Sequence, residues 1–372
     1  MAALLTELTA LESPTDDWNA TRRVLGRLGE ELADSGMAVT CVPGRSSGGM
    51  VMAHPAARPR GRPLQLLVGH CDTVWPVGTT EVMPVERFED QIRGPGVFDM
   101  KGGLVQMIFA LRALRRVAPD LPATPVVLIN SDEETGSADS RRTTIRLARR
   151  AARAFVLEPA YGSTGKLKTS RKAVGEFQVI VKGRAAHAGL SPGEGSSAVL
   201  ELSHQIQRLF AMNDPARGIS VNVGTIDGGV RPNVVAPEVR ALVDVRVPTL
   251  ADAARVEAAI RALTPVDPRS SIEVSGSFGH PPLEPLPRNR SLWERARSLA
   301  GTIGIDLEEA AVGGASDGNL ISQYTATLDG LGAVGDGAHA PHEYVLASKL
   351  AERAALVALL LAAPLDTSGD GP

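Results

Sequence analysis

Cysteine, aromatic side chains and excess charge are all scarce in this chain of 372 residues. Its two cysteines, Cys41 and Cys71, make neither a disulfide framework nor a CxxC motif, so a metal site would need histidines and carboxylates. Aromatic residues make up 3% and the net charge is −3, which argues against nucleic acid or an anionic membrane as partner. The longest apolar run, 354–365, is too short to span a bilayer, and the N-terminus lacks a secretory signal. These absences predict a soluble, cytoplasmic protein.

The order of apolar segments predicts an α/β fold with a mostly parallel central sheet. Strand-like runs at 63–68, 126–129 and 154–157 alternate with helical patterns such as 101–117. From about residue 170 the order becomes strand, helix, strand, strand, helix, strand, which fits an inserted ferredoxin-like α+β domain. A chain of this length also exceeds a typical single core. The predicted parts are a discontinuous α/β domain of residues 1–170 and 283–364, an inserted domain of residues 171–282, and a flexible tail of residues 365–372.

Acidic and imidazole groups recur where the apolar strands end, the edge at which open α/β sheets bind ligands. Further candidates lie in two glycine-rich segments, GPGVFDMKGG and GAHAPHEY, where glycines allow tight backbone folding beneath a charged site. The candidate set comprises His70, Asp72, Asp99, Glu133, Glu134, Glu158 and His339.

Each of these features, taken alone, also fits an ordinary structural role. The His-x-Asp segment at residues 70–72 could be a surface loop, and the Glu133–Glu134 pair could be a solvated acidic turn. Asp99 could cap the following helix, and His339 could be an ordinary loop histidine. Their shared location at strand ends and in glycine-rich loops, in a chain without metal-type cysteines, favours a metal site.

The motifs around these residues resemble those of the co-catalytic zinc exopeptidases. GHCDTVWP resembles the GHxDTVP motif of that family, GPGVFDMKGG its GxGxxDMKGG segment, and SDEETGS its xDEExGS motif. LEP, GRAAHAGLSPGEG, GGASDGN and GAHAPHEYV match further motifs in the family's order, from about residue 60 to residue 355. The family includes glutamate carboxypeptidase, acetylornithine deacetylase, succinyl-diaminopimelate desuccinylase, aminoacylases and peptidase T, and the resemblance is strongest to glutamate carboxypeptidase-like members.

This resemblance implies a catalytic α/β domain that binds two divalent metal ions. Zinc is expected first, and cobalt or manganese would suit the same ligands. Asp99 would bridge the two ions. His70 and Glu158 would complete one site, and Glu134 and His339 would complete the other.

The resemblance also implies the roles of residues that do not bind metal. Asp72 would orient the imidazole of His70, and Glu133 would act as general base. His187, in the inserted domain, would donate a hydrogen bond to the developing oxyanion. In several relatives the equivalent histidine comes from a neighbouring subunit, because these lid domains pair. We therefore expect residues 171–282 to be a lid that also forms a homodimer.

The substrate side of the resemblance is less complete. Asn233 and Arg246 match lid positions that relatives use near the substrate. Relatives end the last lid strand in Arg-Pro-Pro, and the arginine grips a substrate carboxylate. Here His280 stands in that place, and histidine cannot make the bidentate pairing of a guanidinium.

The sequence thus predicts hydrolysis of an amide bond in a small dipeptide or N-acyl amino acid, with glutamate carboxypeptidase-like activity first. An N-acyl-amino-acid deacylase is the alternative. A non-catalytic relative that binds a small molecule is the third interpretation.

Overall fold

A computed structural model describes residues 1–59 and 61–365, and it divides the chain into two compact units. The smaller unit contains Ser170–Glu284 with Gly313–Ala315, and the larger unit contains the rest. The tail predicted at 365–372 lies outside the described residues from position 366 onward. In the described ranges, no helix combines the length and apolar character needed to cross a bilayer.

The elements of the two units follow one another in three stretches of the chain. The first stretch, in the larger unit, contains α1 (Ala2–Ala10), α2 (Trp18–Asp34), β1 (Met37–Val42), β2 (Met50–Pro55), β3 (Leu64–His70), α3 (Thr79–Val82), β4 (Glu86–Phe88), β5 (Gln91–Arg93), α4 (Gly102–Val117), β6 (Thr124–Asn130), α5 (Arg141–Ala148), β7 (Ala151–Val156) and β8 (Leu167–Arg171), whose last two residues belong to the smaller unit. The second, in the smaller unit, contains β9 (Ala173–Lys182), α6 (Ala198–Phe210), β10 (Ser220–Gly228), β11 (Glu238–Val247), α7 (Leu250–Arg261) and β12 (Ser271–His280). The third returns to the larger unit with α8 (Pro287–Thr302), β13 (Glu309–Val312), α9 (Asp317–Ile321), β14 (Ala326–Leu328), β15 (Gly335–Asp336), β16 (Tyr344–Leu346) and α10 (Ala347–Ala362).

The larger unit is built on a six-stranded mixed sheet in the order β1-β2-β6-β3-β7-β14. Strands β6, β3, β7 and β14 are parallel, whereas β2 and β1 add an antiparallel edge. Strand β6 is buried along its whole length, as expected of a strand covered on both faces. The predicted α/β class with a mostly parallel sheet is confirmed.

The smaller unit has a four-stranded antiparallel sheet in the order β10-β11-β9-β12. Burial alternates along β9, because every second side chain faces the apolar core formed with α6 and α7. The other face of this sheet carries polar side chains such as Glu176 and Arg246. The strand and helix order is the ferredoxin-like one predicted from the sequence.

Pairing of β3 with both β6 and β7 sets three strand ends side by side in the larger unit. The start of α4 packs closely beneath this edge. A Cβ atom on Gly103 would lie 2.0 Å from the carbonyl oxygen of Leu157, so only glycine permits this approach. The residue after Leu157 is Glu158, and the close packing therefore fixes the strand end that carries this carboxylate.

Candidate metal centre

The seven candidate residues of the larger unit lie at this sheet edge and in the loops beside it. His70 ends β3, the Glu133–Glu134 pair follows β6, and Glu158 comes two residues after β7. Asp99 lies between β5 and α4, after a peptide turn in which Gly96 adopts a φ of +75°. His339 lies between β15 and β16 and itself has a positive φ of 60°.

Asp99 stands between two histidines, with one carboxylate oxygen toward each. Its Oδ1 lies 3.3 Å from His70 Nε2, and its Oδ2 lies 3.4 Å from His339 Nε2. A second carboxylate accompanies each histidine: Glu158 Oε1 is 3.5 Å from His70 Nε2, and Glu134 Oε2 is 3.2 Å from His339 Nε2. The centre therefore consists of two imidazole–carboxylate groups that share Asp99.

The donor atoms lie close enough together to coordinate metal. His70, Asp99 and Glu134 form one group whose candidate ligand atoms are all within 4.8 Å of one another. His70, Glu133 and Glu158 form a second such group. This geometry admits Glu133 as a metal ligand as well as a base.

Asp72 is fully buried and braces both His70 and the turn after β6. His70 Nδ1 is 3.0 Å from the main-chain oxygen of Asp72 and 3.4 Å from its carboxylate Oδ1, so the main-chain oxygen is the nearer acceptor. The carboxylate also accepts hydrogen bonds from the amides of Glu133 and Glu134, at 3.4 and 3.1 Å, and from the Thr15 hydroxyl at 2.9 Å. Asp72 therefore contacts the histidine and both residues of the acidic pair.

Burial and close charges shift the pKa values of these groups strongly. The Asp99 and Glu134 carboxylates raise the pKa of His339 to about 10. Burial by itself would lower the pKa of His70, but the neighbouring carboxylates raise it well above its ordinary value. Burial raises the pKa of Glu133 well above its ordinary range and also raises that of Glu134. A divalent cation would favour the charged carboxylates and the neutral imidazoles that metal coordination requires.

Unsatisfied oxygens also fit a metal. Asp99 Oδ1 and Glu134 Oε1 are buried and make no hydrogen bond with the described residues. Buried carboxylate oxygens are costly unless paired or bound to metal. Imidazole nitrogens and carboxylate oxygens are the ligands that zinc uses in catalytic sites. The residues at this edge therefore fit a pair of divalent ions.

Sequence reasoning missed three residues that support the centre from outside it. Thr15 reaches Asp72 from a segment 57 residues away, and no sequence signal marked it. Asp317 accepts hydrogen bonds of 2.6 Å from Ser137 and Asn130, which flank the turn carrying the acidic pair. Burial raises the pKa of Asp317 to about 6. Glu343 is the third supporting residue. It lies in the motif GAHAPHEYV, and Asp317 lies in the motif GGASDGN, so these motifs could have marked both residues as candidates.

In the smaller unit, His187 and Asn233 lie on neighbouring exposed loops. The main-chain oxygen of Asn233 accepts a hydrogen bond of 3.0 Å from the Ala188 amide, which holds the histidine loop. His187 Nδ1 accepts hydrogen bonds from the amides of Gly189 and Leu190, at 3.1 and 3.2 Å. Since Nδ1 accepts, the neutral ring carries its proton on Nε2, which is the atom left to donate.

Arg246 and His280 lie on one face of the smaller unit's sheet. Both pair with Val174 of the central strand β9, so their side chains emerge on the same side, away from α6 and α7. Arg246 pairs through two nitrogens with Asp244, at 2.9 Å each, and its Nη1 donates to the Gly313 carbonyl. Its guanidinium is thus already engaged by an acceptor of its own chain.

Comparison with known proteins identifies the class. The model of peptidase family M20/M25/M40 matches residues 66–363. The chain therefore belongs to peptidase family M20/M25/M40, whose members are metal-dependent hydrolases. This confirms the predicted resemblance and the prediction that the protein is an enzyme.

Particular relatives refine the class without deciding a substrate. The chain is 28% identical to carboxypeptidase G2 of Pseudomonas sp. (strain RS-16) over 366 residues, covering 96% of this chain and 87% of that protein. It is also 28% identical to succinyl-diaminopimelate desuccinylase of Xanthomonas oryzae pv. oryzae (strain PXO99A) over 322 residues, 81% of this chain and 84% of that one. In fold it is similar to aminopeptidase PepT from Bacillus cereus ATCC 10987, with a TM-score of 0.81 at 22% identity over 96% of both chains.

Proposed function

We propose that this chain hydrolyses an amide bond with the help of two divalent metal ions held at the candidate metal centre. The observation that carries the proposal is the position of Asp99, whose two oxygens face two different histidines at 3.3 and 3.4 Å. One ion would be held by Asp99 with His70 and Glu158. The other would be held by Asp99 with Glu134 and His339.

Zinc is the metal that we propose first, because imidazole and carboxylate ligands suit it well. Cobalt or manganese would fit the same ligands, and availability would decide between them. When bound, the ions would polarise the scissile carbonyl and acidify an attacking water molecule.

Glu133 is proposed as the general base. Its carboxylate lies in the group formed with His70 and Glu158, beside the proposed metal ligands. A carboxylate in this place can accept the proton of the attacking water and deliver it to the leaving amine nitrogen. Asp72 would keep Glu133 in position, because its carboxylate accepts a hydrogen bond from the Glu133 main-chain amide.

His187 is proposed to stabilise the oxyanion that forms on the former carbonyl oxygen. Its Nδ1 is occupied by two main-chain amides, which supports Nε2 as the donor. A neutral imidazole N–H is sufficient for this role, since a donor aimed at developing charge stabilises the transition state.

The proposed substrate is a dipeptide or an N-acyl amino acid, with a glutamate carboxypeptidase-like activity first. Similarity to carboxypeptidase G2 over nearly the whole chain supports this choice. Equal identity to a desuccinylase supports the alternative, removal of an acyl group from an N-acyl amino acid. Arg246, His280 and Asn233 are proposed substrate contacts. Histidine at position 280 favours substrates that do not need a bidentate grip on a carboxylate.

A homodimer formed through residues 171–282 is also proposed. Strand β10 lies at the edge of the smaller unit's sheet, where a second copy could extend the sheet. Apolar side chains are exposed on and beside this edge, including Leu200 and Phe210 on α6 and Ile226 on β10. Exposed apolar groups next to an open strand support association between two copies. The cytoplasmic location stays a prediction from the sequence.

The proposal is tested by counting metal ions and following hydrolysis together. We expect about two zinc ions per chain by elemental analysis, and loss of hydrolysis after treatment with a chelator. Zinc, cobalt or manganese added back should restore it. The substrate panel consists of N-acetyl and N-succinyl amino acids, an aroyl-glutamate amide and dipeptides. Hydrolysis that survives complete metal removal, or a single ion per chain, would overturn the two-metal mechanism.

A further inference from the structure

The buried carboxylate of Glu343 links three segments of the larger unit: its own, the loop that carries Asp99 and the loop that contains Trp75. It lies four residues after His339 and is 0% exposed. Its hydrogen-bond donors lie in two places. Some belong to the loop that carries Asp99 and precedes α4, and one is Trp75, in the loop that follows His70 at the end of β3.

Four N–H groups converge on the two oxygens of this carboxylate. Oε1 accepts the amides of Phe98 and Asp99, at 2.9 and 3.0 Å. Oε2 accepts the Gly96 amide and the indole Nε1–H of Trp75, both at 2.9 Å. Three of the four donors are main-chain amides of the loop that presents Asp99, and one of them is the amide of Asp99 itself.

The same contact joins the loops of two candidate ligands. Strand β16 begins at Tyr344, directly after Glu343, and pairs with β5 at Arg93. The loop bearing His339 is therefore anchored to the loop bearing Asp99 by strand pairing on one side and by the Glu343 carboxylate on the other. Asp99 Oδ2 and His339 Nε2 lie 3.4 Å apart between these anchors.

We propose that Glu343 is a positioning residue of the metal centre, whose carboxylate fixes the backbone that presents Asp99 and His339 and so sets the affinity for metal. The inference rests on the proposed two-metal function. A glutamine in this place would keep the size of the side chain but would turn an NH₂ group toward two N–H donors. Only a carboxylate has acceptor oxygens for all four donors at once.

A buried carboxylate elsewhere in the chain offers a matched control. Glu201, on α6 of the smaller unit, is 2% exposed and accepts the amides of Val266 and Asp267 together with the Gln205 side chain. Its burial and hydrogen bonding are comparable to those of Glu343. None of its partners is a candidate metal ligand, so the same substitution there reports the cost of disturbing a buried carboxylate alone.

The experiment compares zinc binding to the wild-type chain, Glu343→Gln, Trp75→Phe and Glu201→Gln. Zinc affinity is measured by competition with a chromophoric chelator, and folding by circular dichroism of the metal-free proteins. We expect Glu343→Gln to weaken binding of at least one zinc ion by about 10- to 100-fold, the usual effect of removing a partner that orients ligands. Trp75→Phe, which removes one donor and leaves the carboxylate, should weaken it by about tenfold or less. Glu201→Gln should lower thermal stability and leave zinc affinity unchanged.

The outcomes separate this inference from the function on which it rests. If the wild-type chain binds no zinc, the proposed function fails. If the wild-type chain binds two ions and folded Glu343→Gln binds them with equal affinity, only the positioning role fails. Should Glu343→Gln not fold, Glu343→Asp keeps the charge but shortens the side chain, and wild-type zinc affinity in that variant would overturn the inference equally.

Discussion

The candidate residues of the two units differ in how strongly burial and contacts with neighbouring residues constrain their side chains. In the larger unit, His70 and Asp72 are buried, and the facing donor atoms of the centre lie 3.2 to 3.5 Å apart. In the smaller unit, His187 and Asn233 are exposed and lie on loops. The first set is held by buried contacts within the larger unit, whereas the second presents groups to solvent.

This difference follows from the cost of burying charge. Buried carboxylates must be compensated by hydrogen bonds, cations or metal, so each neighbour of the metal centre is tightly constrained. Exposed groups are solvated and meet no such demand. Substitutions in the larger unit should therefore change metal binding or the chemical step. Those in the smaller unit should change catalysis or substrate choice while metal content stays the same.

The largest effect is expected from Glu133→Gln. Removing the proposed base should lower kcat by about 10² to 10⁴-fold while both metal ions remain. Glu134→Gln is the matched variant, since it alters the adjacent carboxylate and should release metal. Elemental analysis and steady-state kinetics on one substrate measure both properties. Metal loss from Glu133→Gln would instead make Glu133 a ligand, as its grouping with His70 and Glu158 allows.

An intermediate effect is expected from His187→Ala. Loss of one donor to an oxyanion should lower kcat by about 10² to 10³-fold without changing metal content. His342→Ala is the control, because His342 is exposed and lies only three residues from His339. It should retain wild-type kinetics. Wild-type kcat in His187→Ala would remove this residue from the mechanism.

A mixture of His187→Ala and Glu133→Gln chains tests the proposed dimer in the same assay. If the histidine acts on the site of a second copy, mixed dimers contain one site with both residues intact. A mixture of the two variants that is refolded together should then have a higher kcat than either variant refolded alone. Absence of regain, with a dimer seen by light scattering, would indicate that His187 acts within its own chain.

The smallest effect is expected from His280→Arg. A guanidinium can pair with a substrate carboxylate through two N–H groups, so kcat/KM for substrates ending in a free carboxylate should rise by about tenfold. The same substrates with an amidated terminus serve as controls and should show no gain. An equal change on both series would mean that position 280 does not contact a terminal carboxylate.

Much of the fold could be predicted from the sequence, because the distribution of apolar residues along the chain indicates strands and helices. Continuous apolar runs predicted the buried strands β3, β6 and β7, and the strand and helix order predicted the ferredoxin-like unit. The antiparallel pair β1 and β2 was not predicted, because its short segments have a mixed burial pattern. The small sheet of β15, β16, β5 and β4 was not predicted either, because strands of two or three residues are too short to show an alternating pattern of apolar and polar residues.

The supporting shell of the centre was largely unpredictable. Thr15 reaches Asp72, and Glu343 reaches the amide of Asp99, across 57 and 244 residues of sequence. Such contacts depend on which loops meet in space, and a single sequence carries no record of that. The motifs could mark which residues have suitable chemistry but could not give the direction in which each side chain points.

The sequence by itself determined the chemistry available to this protein: imidazoles and carboxylates at strand ends, without metal-type cysteines, in motifs of a metal-dependent hydrolase family. The tertiary structure decided how that chemistry is divided. It set one oxygen of Asp99 toward each histidine and brought a buried carboxylate to the amides beneath Asp99. The physical reason is that residue type fixes what a group can bind, whereas distance and burial fix how strongly neighbouring charges act on it.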